Sequence, residues 1–155
     1  MNIRFHTNKR TAAIAMMVGG SLLLSPLLWA DTGSEVTLPY EQKFNREADA
    51  SGFTIVDANN DGYRWAWSQG AMVYSFNIDR DADDWLITPQ FQADARHVYK
   101  LTFRATADEQ GVERLSVGLG TTPDPAAMTT ELMAPTNISA ASPRNQSLLF
   151  RPKTD

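Results

Sequence analysis

The sequence predicts an all-β protein, an antiparallel β-sandwich of the jelly-roll kind, and three observations predict it. Residues 97–106 alternate, with Tyr99, Leu101, Phe103 and Ala105 on one face and Lys100, Thr102 and Arg104 on the other. Residues 112–119 alternate as well, with Leu115, Val117 and Leu119 sharing a face. A period of two sends successive side chains to opposite sides of a pleated strand, so each segment reads as a half-buried antiparallel strand. Third, short strand-like runs recur along the chain with Gly-, Pro- and Asn-rich turns between them, the punctuation of a sandwich.

Taken in order, residues 1–30 read as a secretory signal peptide. Arg4, Lys9 and Arg10 form a basic start, residues 11–28 are apolar and uncharged, and Trp29-Ala30 precede the polar Asp31-Thr32-Gly33. Basic, apolar, then small is the order of a cleavable leader. The apolar run is near the minimum length for a membrane span, but Gly19-Gly20 and Ser25-Pro26 interrupt it. Cleavage after Ala30 is expected, with export to the periplasm or surface of a bacterium and no membrane insertion thereafter. Residues 31–155 then form one domain, long enough for one core.

Within that domain the strand candidates are 37–44, 53–57, 63–68, 71–77, 85–88, 97–106, 112–119, 131–134 and 147–150. Asn59-Asn60-Asp61-Gly62, Gln69-Gly70, Pro89, Gln110-Gly111, Pro123-Asp124-Pro125, Pro135 and Pro143 separate them. Residues 48–52 and 126–129 have room for a turn of helix and no more. After Ala134 the pattern thins, and the run at 147–150 predicts an open edge. The expected sandwich is therefore incomplete at its C-terminal side.

Charge and cysteine content narrow the function. The whole chain carries a formal charge of −4, and three of its 14 basic residues but none of its 18 acids lie in the leader, which leaves −7 on the domain. Nucleic acid and anionic lipid both require positive charge, so neither is an expected partner. An acidic surface suits cations. With no Cys, an exported chain has no disulfides and must rely on its core or on bound metal.

One segment has the chemistry of a calcium loop. Asp57, Asn59 and Asp61 place oxygens at alternate positions, and Gly62 allows a sharp turn. Calcium takes several converging oxygen ligands, and an Asx-rich turn supplies them. The segment is not an EF-hand, because Ser68 stands where that loop needs Glu. The same residues also make an ordinary Asx turn, in which Asn and Asp bond their own backbone. A second acidic segment, Asp79-Arg80-Asp81-Ala82-Asp83-Asp84, reads as a solvated loop; packed beside the first, it would offer Asp81 or Asp83 to a shared site. Asp84 is assigned to the start of the strand at Trp85. Glu113 has the parity of Leu115, so it is expected at the rim of the apolar face, where a carboxylate needs hydration or a partner.

Trp65 and Trp67 lie two apart and face the same side of a strand, with Tyr63 on the same parity. They form either core or an exposed aromatic platform that stacks on sugar rings. Catalysis has little support: His97 is the domain's one histidine, and neither Gly-x-Ser-x-Gly nor His-Glu-x-x-His occurs. Acids are plentiful enough for a two-carboxylate glycosidase, but they do not alternate along one apolar strand.

The order of the segments resembles the cleaved-adhesin family, or choice-of-anchor J domains, related in architecture to MAM domains. The matching pieces are Leu38-Pro39-Tyr40-Glu41-Gln42-Lys43-Phe44-Asn45, then Gly52-Phe53-Thr54-Ile55-Val56-Asp57 running into Asn59-Asn60-Asp61-Gly62, then Trp65. Asp83-Asp84-Trp85-Leu86-Ile87-Thr88-Pro89, Tyr99-Lys100-Leu101-Thr102-Phe103-Arg104-Ala105 and Glu113-Arg114-Leu115-Ser116-Val117 follow. The resemblance runs from about Leu38 to Met133. It implies a jelly-roll sandwich acting as a non-catalytic adhesion module for carbohydrate or a surface protein, often with structural calcium. The chain departs from the pattern in having Phe44-Asn45 for Phe-Glu, and in lacking closing strands after Phe150 and a sorting segment. The other expectation is a structural accessory-domain fragment of a larger surface protein or secreted enzyme.

Overall fold

The computed structural model describes residues 1–7, 17–18, 35–75, 79–107, 111–139 and 144–153. Strands dominate them: β1 (Asn2–Thr7), β2 (Met17–Val18), β3 (Thr54–Asp57), β4 (Trp65–Ser68), β5 (Ala71–Tyr74), β6 (Asp84–Ile87), β7 (Tyr99–Ala105), β8 (Val112–Gly120), β9 (Thr130–Ser139) and β10 (Arg144–Phe150). One sheet has the order β3-β6-β1-β8-β9, a second β10-β7-β2, and β4-β5 stand as a hairpin. The named strands pair antiparallel throughout, so the chain is all-β as its alternation predicts. The helical content described is two short 3₁₀ turns, Glu47–Ala50 and Pro125–Ala127.

The main core lies between the sheets. Leu86 of β6, Leu115 and Val117 of β8, and Met133 and Ile138 of β9 meet Leu101, Phe103 and Ala105 of β7 and Phe150 of β10. Trp65, Met72 and Tyr74 of the hairpin close the same cluster together with Phe44 and Phe53. The alternation of β7 survives in its burial, with Leu101, Phe103 and Ala105 inside and Lys100 and Arg104 outside.

β6 and the second half of β8 differ, because every residue of 84–87 and of 115–120 is buried. They are covered on both faces. On the far side Trp85 and Ile87 pack with Met128, which follows the Pro125–Ala127 turn, and with Val56. That turn lies so close to β8 that a Cβ on Gly120 would meet the Ala127 carbonyl oxygen at 2.6 Å and the Met128 sulfur at 2.7 Å.

Local sequence explains the remaining elements. Gln69 and Gly70 join β4 to β5 with φ of 49° and 84°, the pair of positive values that a two-residue hairpin loop demands. β9 runs well beyond the expected 131–134 and shifts register twice against β8, between Leu115 and Val117 and between Val117 and Gly118. Pro135 falls at the first shift, on the outer strand of the sheet. A strand interior rejects proline, whereas an outer strand at a bulge tolerates it.

Two expectations need correction. Over residues 37–44 no strand forms; there are only isolated bridge residues, Gln42 within the segment and Val36 just before it, the latter paired with Phe91. Pro39 has no N–H for a ladder, and Phe44 leaves the extended region with φ of 54°. Glu113 is not at a hydrated rim, being only 1 % exposed. Of the expected leader, Asn2–Thr7 forms β1 between β6 and β8; the expected cleavage position at Ala30 and most of the apolar run lie outside the described residues.

Candidate functional site

The acidic segments meet at one end of the five-stranded sheet. β3 pairs with β6 so that Asp57 and Asp84 are register partners. The turn after β3 then folds back on Asp57. Its Oδ1 accepts the Asp61 N–H at 3.2 Å and its Oδ2 the Gly62 N–H at 2.9 Å. Asp61 in turn accepts the Tyr63 N–H on Oδ1 at 2.8 Å. Asn60 and Gly62 have φ of 54° and 87°, values that Asn and Gly adopt at least expense. The segment is thus a self-bonded Asx turn, the bonding that Asp and Asn side chains make with nearby backbone.

The turn is stitched to the second acidic segment. Asn59 Nδ2 donates to Asp61 Oδ2 at 3.2 Å and to the Asp81 carbonyl at 2.8 Å. The Ala58 N–H reaches the Asp83 carbonyl at 3.0 Å. Asp81 therefore contributes its main chain to the junction. The Asp83 side chain turns to Trp85, accepting the indole N–H at 2.9 Å. Among the described residues, no three His, Cys, Asp or Glu side chains stand close enough together to hold a metal as they are.

Asp84 was assigned a structural start-of-strand role, yet it is the most unusual group here. It is fully buried, and neither carboxyl oxygen receives a hydrogen bond of ordinary geometry. Burial pushes its pKa up from 3.8 to about 7; the Tyr74 hydroxyl opposes the rise, and the charges of Asp57, Asp61 and Asp83 add to it. The same environment acts on Tyr74, itself buried. Burial first, then Asp84, with Asp61 and Glu113 further off, hold its hydroxyl well above the usual phenol range. Tyr74, Asp84 and Glu113 thus form a buried acid group beneath the turn. The signal for Asp84 was its parity with Leu86, which points it inward; the runs of acid around it masked that parity.

The aromatic residues are placed differently from a platform. Trp65 is 1 % exposed and packs in the main core, its ring 6.1 Å from that of Tyr74, with its indole N–H toward the Asp84 carbonyl at 3.4 Å. Trp67 shares that face, half-buried, and donates to the Phe44 carbonyl at 2.7 Å. Only Tyr63 is open to solvent, 40 % exposed, and it precedes β4. The inward parity of β4 gives core rather than platform. His97 sits in an exposed turn with Nδ1 2.9 Å from the Asp94 carboxylate, a capping arrangement.

No family model, curated protein or solved structure matches this chain.

Proposed function

We propose that the chain is a secreted, non-catalytic binding module of adhesin type, whose loop end is held by calcium and contacts an extracellular surface protein or glycan. The observation that carries this reading is the Asp84 carboxyl group, fully buried, with no hydrogen bond of ordinary geometry on either oxygen and the Tyr74 hydroxyl as its one polar neighbour among the described residues. A buried ionised carboxylate needs a counter-charge. A cation beside Asp84 would supply it, with Asp57 and Asp61 drawn in as further carboxylate ligands only by a rearrangement of the 57–62 turn that frees them from its backbone N–H groups. The donor set fits, being hard oxygen throughout. Bound there, calcium neutralises the acid group and ties the 57–62 turn to the 79–84 segment. Trp65 is buried and Trp67 half-buried, so the partner surface in this reading is the loop end itself, Tyr63 included. The residues of this loop end resemble those of cleaved-adhesin domains, which supports the same reading.

Thermal melts in EDTA and in about 1 mM calcium test it. A site with Kd of about 10⁻⁵ M contributes roughly 2.7 kcal/mol at that concentration, or several degrees in Tm. Calcium competes with the proton on Asp84, so the gap between the two curves should close below about pH 6. Superimposable curves at pH 8 would sink the calcium reading.

A further inference from the structure

Charge is segregated along the sequence, and strand pairing turns that segregation into a surface. Residues 95–107 and 132–154 contain no Asp or Glu, yet they hold Arg96, Lys100, Arg104, Arg144, Arg151 and Lys153. These are six of the 11 basic residues that remain when three of the 14 are assigned to the leader. β7 and β10 come from the two segments and pair antiparallel over their whole length. A domain with an expected charge of −7 therefore has one pair of strands whose charges are all positive.

Burial and register place those charges. Leu101, Phe103 and Ala105 of β7 and Phe150 of β10 are in the core, so the residues between them face outward. Opposite residues share a face: Lys100 lies against Leu149, Thr102 against Ser147 and Arg104 against Asn145. All but the half-buried Thr102 are exposed. Past Phe150 the alternation continues, with Arg151 and Lys153 exposed on either side of the buried Pro152. Lys100, Arg104, Arg151 and Lys153 make no ion pair among the described residues.

We infer that this outer face of β7 and β10 is a second binding surface, and that its partner is a linear anionic polysaccharide. Four residues of strand set Lys100 and Arg104 about 13 Å apart, a span that a charged polymer crosses and a single small anion does not. The hydroxyl and amide groups of Thr102, Ser147 and Asn145 accompany the two cations on that face, and they suit sugar hydroxyls. Other polyanions fit less well. Single-stranded nucleic acid stacks its bases on exposed aromatic rings, but here Phe103 and Phe150 are buried and Tyr99 stacks on Phe150 at 5.6 Å. Duplex DNA carries a charge every ~1.7 Å and would meet the repulsion of the acidic remainder. A membrane surface needs apolar side chains that insert beside the cations; among the described residues this face offers Leu149 and, just before β7, Val98. The segments outside the described residues are no substitute, since their acids are Asp31, Asp108, Glu109 and Asp155, at most two together.

Binding is measured with the purified full chain in EDTA, which keeps the outcome separate from the calcium reading of the loop end. Heparin supplies sulfate groups, polygalacturonate supplies carboxylates and neutral dextran is the blank, each titrated at about 50 mM salt. At least one anionic polymer should bind saturably, with an affinity that weakens as salt is raised. Lys100→Glu with Arg104→Glu should raise Kd about tenfold or more, and Lys100→Gln with Arg104→Gln, which only removes the charges, about threefold. Lys43→Glu with Arg114→Glu changes the net charge equally from outside the strand pair and should leave Kd within about twofold. Binding by neither anionic polymer, or an equal effect of the two charge reversals, overturns the inference. Tighter binding to anionic vesicles, duplex DNA or polyglutamate also overturns it, and reassigns the face to a membrane, a nucleic acid or an acidic polypeptide.

Discussion

Asp84 decides how this protein responds to pH. Its folded-state pKa is raised from 3.8 to about 7, so the folded chain holds this proton more tightly than the unfolded chain does. The resulting stability is fully present below about pH 4 and is lost as pH rises through the interval to about 7. Asp84→Asn stays neutral, so in EDTA it should melt higher than the parent at pH 8 and close to it at pH 4. A pH-independent difference between the two chains would contradict the burial of an uncompensated carboxylate. Gly120 is set by space rather than by charge. Gly120→Ala drives a methyl into the Ala127 carbonyl, and overpacking of this kind costs about 1–3 kcal/mol. Urea denaturation should show that loss, whereas Gly62→Ala meets no neighbour and suffers only the strain of its positive φ.

At the scale of elements, the legible strands were those whose residues alternate in sequence. β7 and β8 announced themselves because Tyr99–Ala105 and Leu115–Leu119 alternate, and the Gln69-Gly70 loop because its chemistry is that of a hairpin. β6 was placed to within a residue, but its role was hidden. With both faces covered, Asp84-Trp85-Leu86-Ile87 has no polar side, so nothing in the pattern says which neighbour each residue meets. Residues 37–44 failed as a strand because Val36, Leu38 and Tyr40 carry strand periodicity without the backbone geometry. In the candidate site, the Asx turn was legible from its residue types, and its junction with 79–84 was an open option. The buried carboxyls were not, because sequence shows acids without showing what covers them. β4 holds its place through Trp67, whose indole N–H bonds the carbonyl of the positive-φ Phe44. Trp67→Phe keeps most of the packing and removes that bond, so it should lower stability by about 1 kcal/mol. A loss of 3 kcal/mol or more in chemical denaturation would mean that the indole's volume matters more than its hydrogen bond.

Across the whole molecule, burial and edges are unevenly shared. β8 is paired on both sides, to β1 and β9, and its residues 115–120 are buried on both faces. β10 pairs with β7 alone among the described strands, and Leu149 on it is 72 % exposed. Exchange of backbone amides reports the free energy of the opening that frees them, and that energy approaches the global value where a strand is central and covered. The amides of Val117 and Leu119 should therefore exchange slowest in the full chain, at rates set by global unfolding. Those of the outer half of β10 should exchange faster by two orders of magnitude or more, through local fraying that leaves the core closed. The acid group adds a condition to this ranking. Raising pH from 5 to 8 in EDTA ionises Asp84, at the start of β6, so protection of β8 should fall with global stability, after correction for intrinsic rates. β10, whose exchange is local, should not follow. Equal sensitivity of both strands would show that β10 opens only when the whole sandwich does, and that its exposed edge is stabilised by contacts other than β7.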